Sequence, residues 1–218
     1  MNNMLDNELE LLNNNIIKMS LSCENAITLT MNSLFNKEII SYKDVKKIEN
    51  NINEYEKEIE RQCLNILLKQ HPYAKDLRMI SAVLKIITDL ERIGDQACDI
   101  ADIAISTKVD NELLEQMSKE AIKLLSLAID SFVKKDLSLA KQAIKFDDKV
   151  DDLFIEVKNN IIDILKSENT NAKEALDMLM VAKYLERIAD HAVNVSEWVI
   201  FSITGLHKGE KYDSNIGR

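Results

Sequence analysis

Along nearly the whole chain, apolar residues recur at the three- and four-residue spacing of a single helix face, and almost nowhere do they alternate in twos as a strand requires. The pattern predicts six long helices, over about residues 4–35, 41–69, 73–105, 111–134, 137–167 and 171–204. The third shows the pattern most fully. Val83, Ile86, Leu90, Ile93, Ala97, Ile100 and Ala104 form one continuous stripe for a core. A second azimuth of the same helix carries Leu77, Ile80, Leu84 and Ile87 and then turns acidic at Glu91 and Asp95. A stripe that begins apolar and ends charged leaves its packed surroundings halfway along.

The breaks between helices fall at recognisable signals. Ser41 with Asp44 reads as a capping pair, and Asp110, Asp136 and Thr170 are expected to cap the helices that follow them. Pro72 is expected in a first helical turn, and Gly205 with Gly209 ends the last helix and opens a polar tail. The chain holds one Pro and four Gly, and Gly94 is the sole glycine before residue 205. Hairpin and sheet punctuation is therefore missing.

The six helices are two copies of three. An offset of 98 residues lays Met19-Ser20 on Met117-Ser118, Lys47 on Lys145, Glu58 on Glu156 and Ile66-Leu67 on Ile164-Leu165. An offset of 95 lays Leu90-Glu91-Arg92-Ile93-Gly94-Asp95-Gln96-Ala97 on Leu185-Glu186-Arg187-Ile188-Ala189-Asp190-His191-Ala192, with six of the eight positions identical. The expected architecture is all-α: two tandem three-helix bundles, residues 1–107 and 108–206, followed by a tail at 207–218.

Composition narrows the function classes. With 28 Lys and Arg against 37 Asp and Glu, the net charge of −9 opposes binding to nucleic acid or to anionic lipid. Residues 1–10 have neither the basic nor the apolar part of a secretion signal, and no apolar run reaches the 18 residues of a membrane span. A cytoplasmic protein without a membrane span is expected. The three cysteines, Cys23, Cys63 and Cys98, form no C-x-x-C pair and read as small core residues.

Candidate chemistry lies in the acids. At about 100° per residue, Glu91 and Asp95 project side by side from the third helix, as Glu186 and Asp190 do from the sixth. The middle helices add a pair at the same spacing, Asp147 with Asp151 in the second repeat and Glu49 with Asn53 in the first. Clustered carboxylates resist ionisation until a cation joins them, and all-oxygen ligation suits Mg, Mn, Fe or Ca. A lone E-x-x-x-D is usually a solvated face. Recurrence at the same place in both repeats, beside a second acidic pair, favours a metal or a partner. His191 follows Asp190 as a possible ligand, although its counterpart is Gln96. His71 and His207 read as solvated. No histidine has a Glu three residues before it, which disfavours the ferritin-like di-iron class, and no phosphate loop, nucleophile-base pair or Zn-type cluster is present. Trp198-Val199-Ile200-Phe201 reads as a run that closes the core, with an exposed anchor for a partner as the alternative.

Four segments together carry a family likeness: His71-Pro72-Tyr73-Ala74-Lys75-Asp76-Leu77-Arg78, Leu90-Glu91-Arg92-Ile93-Gly94-Asp95, Leu185-Glu186-Arg187-Ile188-Ala189-Asp190-His191 and Thr204-Gly205. In these, in length and in its duplicated three-helix plan, the chain resembles the PhoU family of phosphate-uptake regulators. The resemblance implies a regulator that is not an enzyme. Its partners would be the ATPase subunit of a phosphate ABC transporter and a sensor histidine kinase, and it would form a homodimer. It also implies multinuclear clusters of divalent or trivalent metal ions, Fe, Mn or Mg. The ligands would be Glu49, Glu91 and Asp95 in one repeat and Asp147, Asp151, Glu186 and Asp190 in the other. Asp99 is counted with the first set although its counterpart is Asn194, and Asn53 departs from the acidic pattern. A metal-dependent enzyme and a purely structural helical adaptor are the alternatives that use the same acidic faces.

Overall fold

The computed structural model describes residues 3–35, 37, 39–70, 72–166 and 171–206. Six helices follow in order: α1 (Asn3–Leu34), α2 (Tyr42–Gln70), α3 (Ala74–Ser106), α4 (Glu112–Lys134), α5 (Leu137–Leu165) and α6 (Ala172–Thr204). Among the described residues there is no strand. Helices α1 to α3 form one three-helix bundle and α4 to α6 the other, and the two are joined where α3 packs on α6 and α1 on α4.

How much of each helix is buried follows from its neighbours. The middle helices bury narrow seams at a seven-residue step, Val45, Ile52, Ile59 and Ile66 in α2 and Ala143, Val150 and Val157 in α5. Their remaining faces are free for charge. Helices α3 and α6 are each covered by both companions in their own bundle and by one another, so their buried faces are wide and rich in Ala and Ile. One hydrophobic core runs without interruption from Leu5 to Val199 through both repeats.

Helix ends use side-chain caps, with differences from expectation. Ser41 and Asp44 cap α2 reciprocally: the Ser41 amide donates to Asp44 Oδ2 at 3.0 Å and the Asp44 amide to Ser41 Oγ at 3.4 Å. Asp136 caps α5 by accepting from the Ser138 and Leu139 amides. The cap of α4 is Asn111 rather than Asp110, because it is the Asn111 side chain that reaches the Leu114 amide, at 3.0 Å. Asn171 caps α6, while the expected Thr170 lies outside the described residues. Pro72 stands before the α3 N-cap residue Tyr73, outside the first turn. Gly205, at φ 79°, ends α6 in the left-handed conformation that suits glycine.

The linker between repeats is strapped at both ends. Lys108 Nζ donates to Ser33 O and Ala104 O, each at 2.7 Å, tying together the C-terminal ends of α1 and α3. Thr107 Oγ1 donates to Asp177 Oδ2 at 2.5 Å, on the first turns of α6. The pairs Thr107 with Asp177 and Asp89 with His191 show that α3 and α6 run antiparallel. The contact of Asp89 with Asn194 has its repeat counterpart in the approach of Tyr184 to Asp99, so an approximate twofold relates the bundles.

Candidate metal centres on the acidic faces

In the second repeat the four expected acids stand on neighbouring helices, near enough to feel one another's charge. Asp147 and Asp151 rise from α5 and Glu186 and Asp190 from α6. Burial, then the charges of Asp151, Asp190, Asp148 and Glu186, push the Asp147 carboxyl up from 3.8 to about 6. Burial and Glu186 also raise Asp151 and Asp190, with Lys183 opposing both. Lys183 pairs with Glu186 at 2.5 Å. Among the described residues, Asp147, Asp151 and Asp190 have no hydrogen bond or ion pair of their own. Three partly buried carboxylates thus stand without a direct ion pair, with Lys183 the nearby positive charge for Asp151 and Asp190.

The first repeat is arranged differently. Glu91 and Asp95 again project together, and Arg92 reaches both, with Nε 3.5 Å from Glu91 and Nη1 3.5 Å from Asp95. The middle-helix acid that meets them is Glu56, which the sequence reading did not include. Burial raises Glu91, followed by the Asp95 charge, with Arg92 opposing and Glu56 adding to the rise. Glu56 is itself raised by burial and by Glu60. The signal was available, since Glu49, Asn53 and Glu56 fall at i, i+4 and i+7 on one helix face. Its counterpart in the second repeat is Phe154, and a search for acids at equivalent positions passes over it.

Glu49 pairs with Lys46 at 2.6 Å and, with Asp95, flanks Cys98. Burial, followed by these charges, pushes the Cys98 thiol up to about 12, away from the thiolate form. Asp99 lies one turn beyond Asp95. Burial and Asp95 raise it, and Arg187 of α6 opposes, so it stands at the seam between repeats.

That seam holds contacts no single helix could reveal. His191 Nδ1 lies 2.9 Å from Asp89 Oδ1, and Asn194 Nδ2 donates to the same oxygen at 3.2 Å. His191 also lines a groove of about 590 Å³ with Asp147, Asp190, Arg92 and Arg187. A second groove, of about 430 Å³, lies between α3 and α6 beside Asp89, Trp198 and Phe201. The Trp198 to Phe201 run is therefore divided. Val199 is buried in the core, while the rings of Trp198 and Phe201 meet edge to face at 5.9 Å on the groove wall.

The donor set is all oxygen, which fits a hard cation in kind, and the excess of acids over bases in the second repeat fits one electrostatically. Among the described residues no three His, Cys, Asp or Glu side chains converge closely enough to hold a metal as they stand, so ligation needs side-chain rotation. No helix among them is long and apolar enough to cross a membrane.

Comparison with known proteins gives a consistent result. The family model described as the PhoU domain matches the chain twice, over residues 16–104 and 114–199. A Burkholderia protein named a phosphate-specific transport system accessory protein PhoU homolog is 31% identical over 216 residues, covering 94% of this chain and 91% of its own length. PhoU homolog 1 of Thermotoga maritima, named likewise, is 31% identical over 211 residues with the same coverage. The crystal structure of PhoU from Pseudomonas aeruginosa superposes with a TM-score of 0.84 at 28% identity, covering 92% of this chain and 99% of that one.

Proposed function

The chain belongs to the PhoU domain family, and from that premise we propose that it regulates phosphate uptake and represses the phosphate-starvation response when phosphate is ample. The observation that carries this reading is the double family match, supported by relatives over nine-tenths of the chain that are named as accessory proteins of phosphate transport. Those names describe accessory proteins rather than enzymes. In the proposed role the protein works in the cytoplasm as a homodimeric adaptor. It contacts the ATPase subunit of a phosphate ABC transporter and a sensor histidine kinase, and it carries Fe, Mn or Mg on its acidic faces. Asp147, Asp151, Glu186 and Asp190 would hold the cation in the second repeat, and Glu49, Glu91, Asp95 and Asp99 in the first, with Glu56 beside Glu91 as a further acid of that face. The ion would supply counter-charge that locks the middle helix to the third.

Deleting the gene is expected to leave the starvation response on in high phosphate, and co-purification is expected to recover the transporter ATPase subunit. Normal repression in the deletion strain overturns the regulatory reading. Metal binding has its own measurement. Protein stripped of metal should melt higher on adding Mn, Fe or Mg, because a cation bound only by the folded state stabilises it by about 2.7 kcal/mol at a hundredfold excess over its dissociation constant. An unchanged melting temperature across all three ions argues against the cation.

A further inference from the structure

The groove of about 430 Å³ between α3 and α6 plays no part in the functional reading above. Asn194, Glu197, Trp198 and Phe201 fall at i, i+3, i+4 and i+7 on one face of α6 and form one wall, and Lys85 and Asp89 of α3 stand on the other. Helix α6 already buries Val199 in the core, so the two half-buried rings beside it are not what closes the interior. Nor does the packing of α3 on α6 call for them. Under the twofold relation of the repeats, Trp198 and Phe201 correspond to Ile103 and Ser106, so the other end of the same seam packs without these rings. Two carboxylates accompany them. The Asp89 side chain is only 14% exposed; its Oδ1 is taken by His191 and Asn194, while its Oδ2 has no bond among the described residues. Glu197 lines the same opening. A π face beside shielded carboxylates attracts a cation. The chain shows this on itself, since Lys85 Nζ lies over the Trp198 ring, 6.0 Å from its centroid.

We propose that this groove is a docking site for an arginine side chain presented by a partner protein, stacked on Trp198 and held by Asp89 and Glu197. The proposal rests on the adaptor reading above and adds to it a surface and the chemistry of what docks there. Arginine suits the site better than lysine, because its guanidinium is planar, lies flat on an aromatic ring and is more weakly hydrated than an ammonium. Its forked N–H groups also donate to two carboxylate oxygens at once. Lys85 is the resting occupant. Its ammonium is strongly hydrated and sits on a flexible stem, so an incoming guanidinium displaces it from the ring. The net charge of −9 favours a basic partner over an acidic one, and tryptophan and arginine are the side chains that contribute most at interfaces. Because Asp89 and Glu197 belong to opposite repeats, the site exists only where α3 packs on α6.

Trp198 is the only tryptophan, so its indole N–H gives a single resonance that reports the groove directly. Nitrogen-15-labelled full-length protein is titrated with a short alanine-based helical peptide carrying two arginines, and with versions in which lysine or the neutral isostere citrulline replaces them. The arginine peptide is expected to shift the Trp198 indole saturably, the lysine peptide to bind about 3-fold or more weakly, and the citrulline peptide not to bind. Glu197→Gln and Asp89→Asn should each weaken arginine binding about 5-fold or more, with circular dichroism checking that each variant is folded. Lys85→Ala should strengthen it about 2-fold or more, a gain that a groove with only a structural role would not show. Asp163→Asn, at an exposed position on α5, should change nothing. No shift with any peptide at millimolar concentration, equal binding of the arginine and citrulline peptides, or binding indifferent to both carboxylate variants overturns the proposal. A shift that appears only after residues 207–218 are removed assigns the groove to the chain's own end and overturns it as well. None of these titrations involves transporter, kinase or metal, so their failure leaves the regulatory reading standing. Normal repression in the deletion strain removes that reading without altering the titration.

Discussion

At the scale of single residues, Asp147 shows what a carboxylate cluster costs a protein without its cation. Its folded-state pKa, about 6, lies above the ordinary 3.8, so the folded state binds the proton more tightly than the unfolded one. Below 3.8 both states are protonated and no penalty exists. As the pH rises from 3.8 towards 6 the unfolded chain loses its proton first, and stability falls. Above 6 the whole penalty is present. Asp147→Asn removes it, so in metal-free protein the substitution should stabilise by about 1 kcal/mol at pH 7.5, a figure discounted for solvent at this partly exposed site, and by nothing at pH 4. Urea denaturation at the two pH values measures the difference. Equal effects at both would mean that the aspartate carries no ionisation penalty. With a bound cation the sign reverses, because the same carboxylate becomes a ligand and its loss destabilises.

At the scale of helices, the two repeats solve one packing problem with different residues. A Cβ at Gly94 would stand 2.7 Å from Ile52 Cδ1 and 3.1 Å from Cγ2, so α2 and α3 approach closely there because glycine has no side chain. The equivalent positions in the second repeat hold Val150 and Ala189, one methylene less than Ile52 and one carbon more than Gly94. Volume is conserved across the pair. Gly94→Ala alone should destabilise, since overpacking at about 1–3 kcal/mol exceeds the gain of about 1 kcal/mol in helix propensity. Ile52→Val alone should cost about 0.5–1.5 kcal/mol through the space it opens. Made together they recreate the second repeat's solution, and the double variant should be more stable than the sum of the singles by about 1 kcal/mol in a double-mutant cycle. Strict additivity would show that the close approach relaxes without involving Ile52. Helix existence and order were legible in the sequence, because each helix carries its own apolar stripe and the observed ends lie close to the expected ones. The caps Asn111 and Asn171 were not, since each stands beside another residue of capping type and only backbone direction chooses between them.

At the scale of the whole molecule, the duplication was visible in the two L-E-R-I segments, but the way the copies meet was not. Periodicity within one helix says which face is buried and nothing about which foreign helix covers it. The four acids of the second repeat were legible because both pairs lie on helices of one hairpin. Asp89, His191 and Asn194 meet only through the register of α3 against α6, 102 and 105 residues apart in sequence, and no local pattern encodes that. The same packing joins the main hydrophobic core across the repeats, so the two bundles share one continuous interior. The straps at Thr107 and Lys108 act in the same direction, holding the linker to α6 on one side and to α1 and α3 on the other. Unfolding should accordingly be one cooperative transition despite a length at which two-state behaviour often fails. Trp198, the only tryptophan, sits near the end of α6 and reports the second repeat, whereas far-ultraviolet circular dichroism reports all six helices. If the bundles were independent, the two signals would separate in urea, because their cores differ in composition and therefore in stability. Coincident midpoints and slopes are the expected result. A tryptophan transition displaced from the dichroism transition would show that the α3–α6 contact is a docking of two stable domains rather than part of one core.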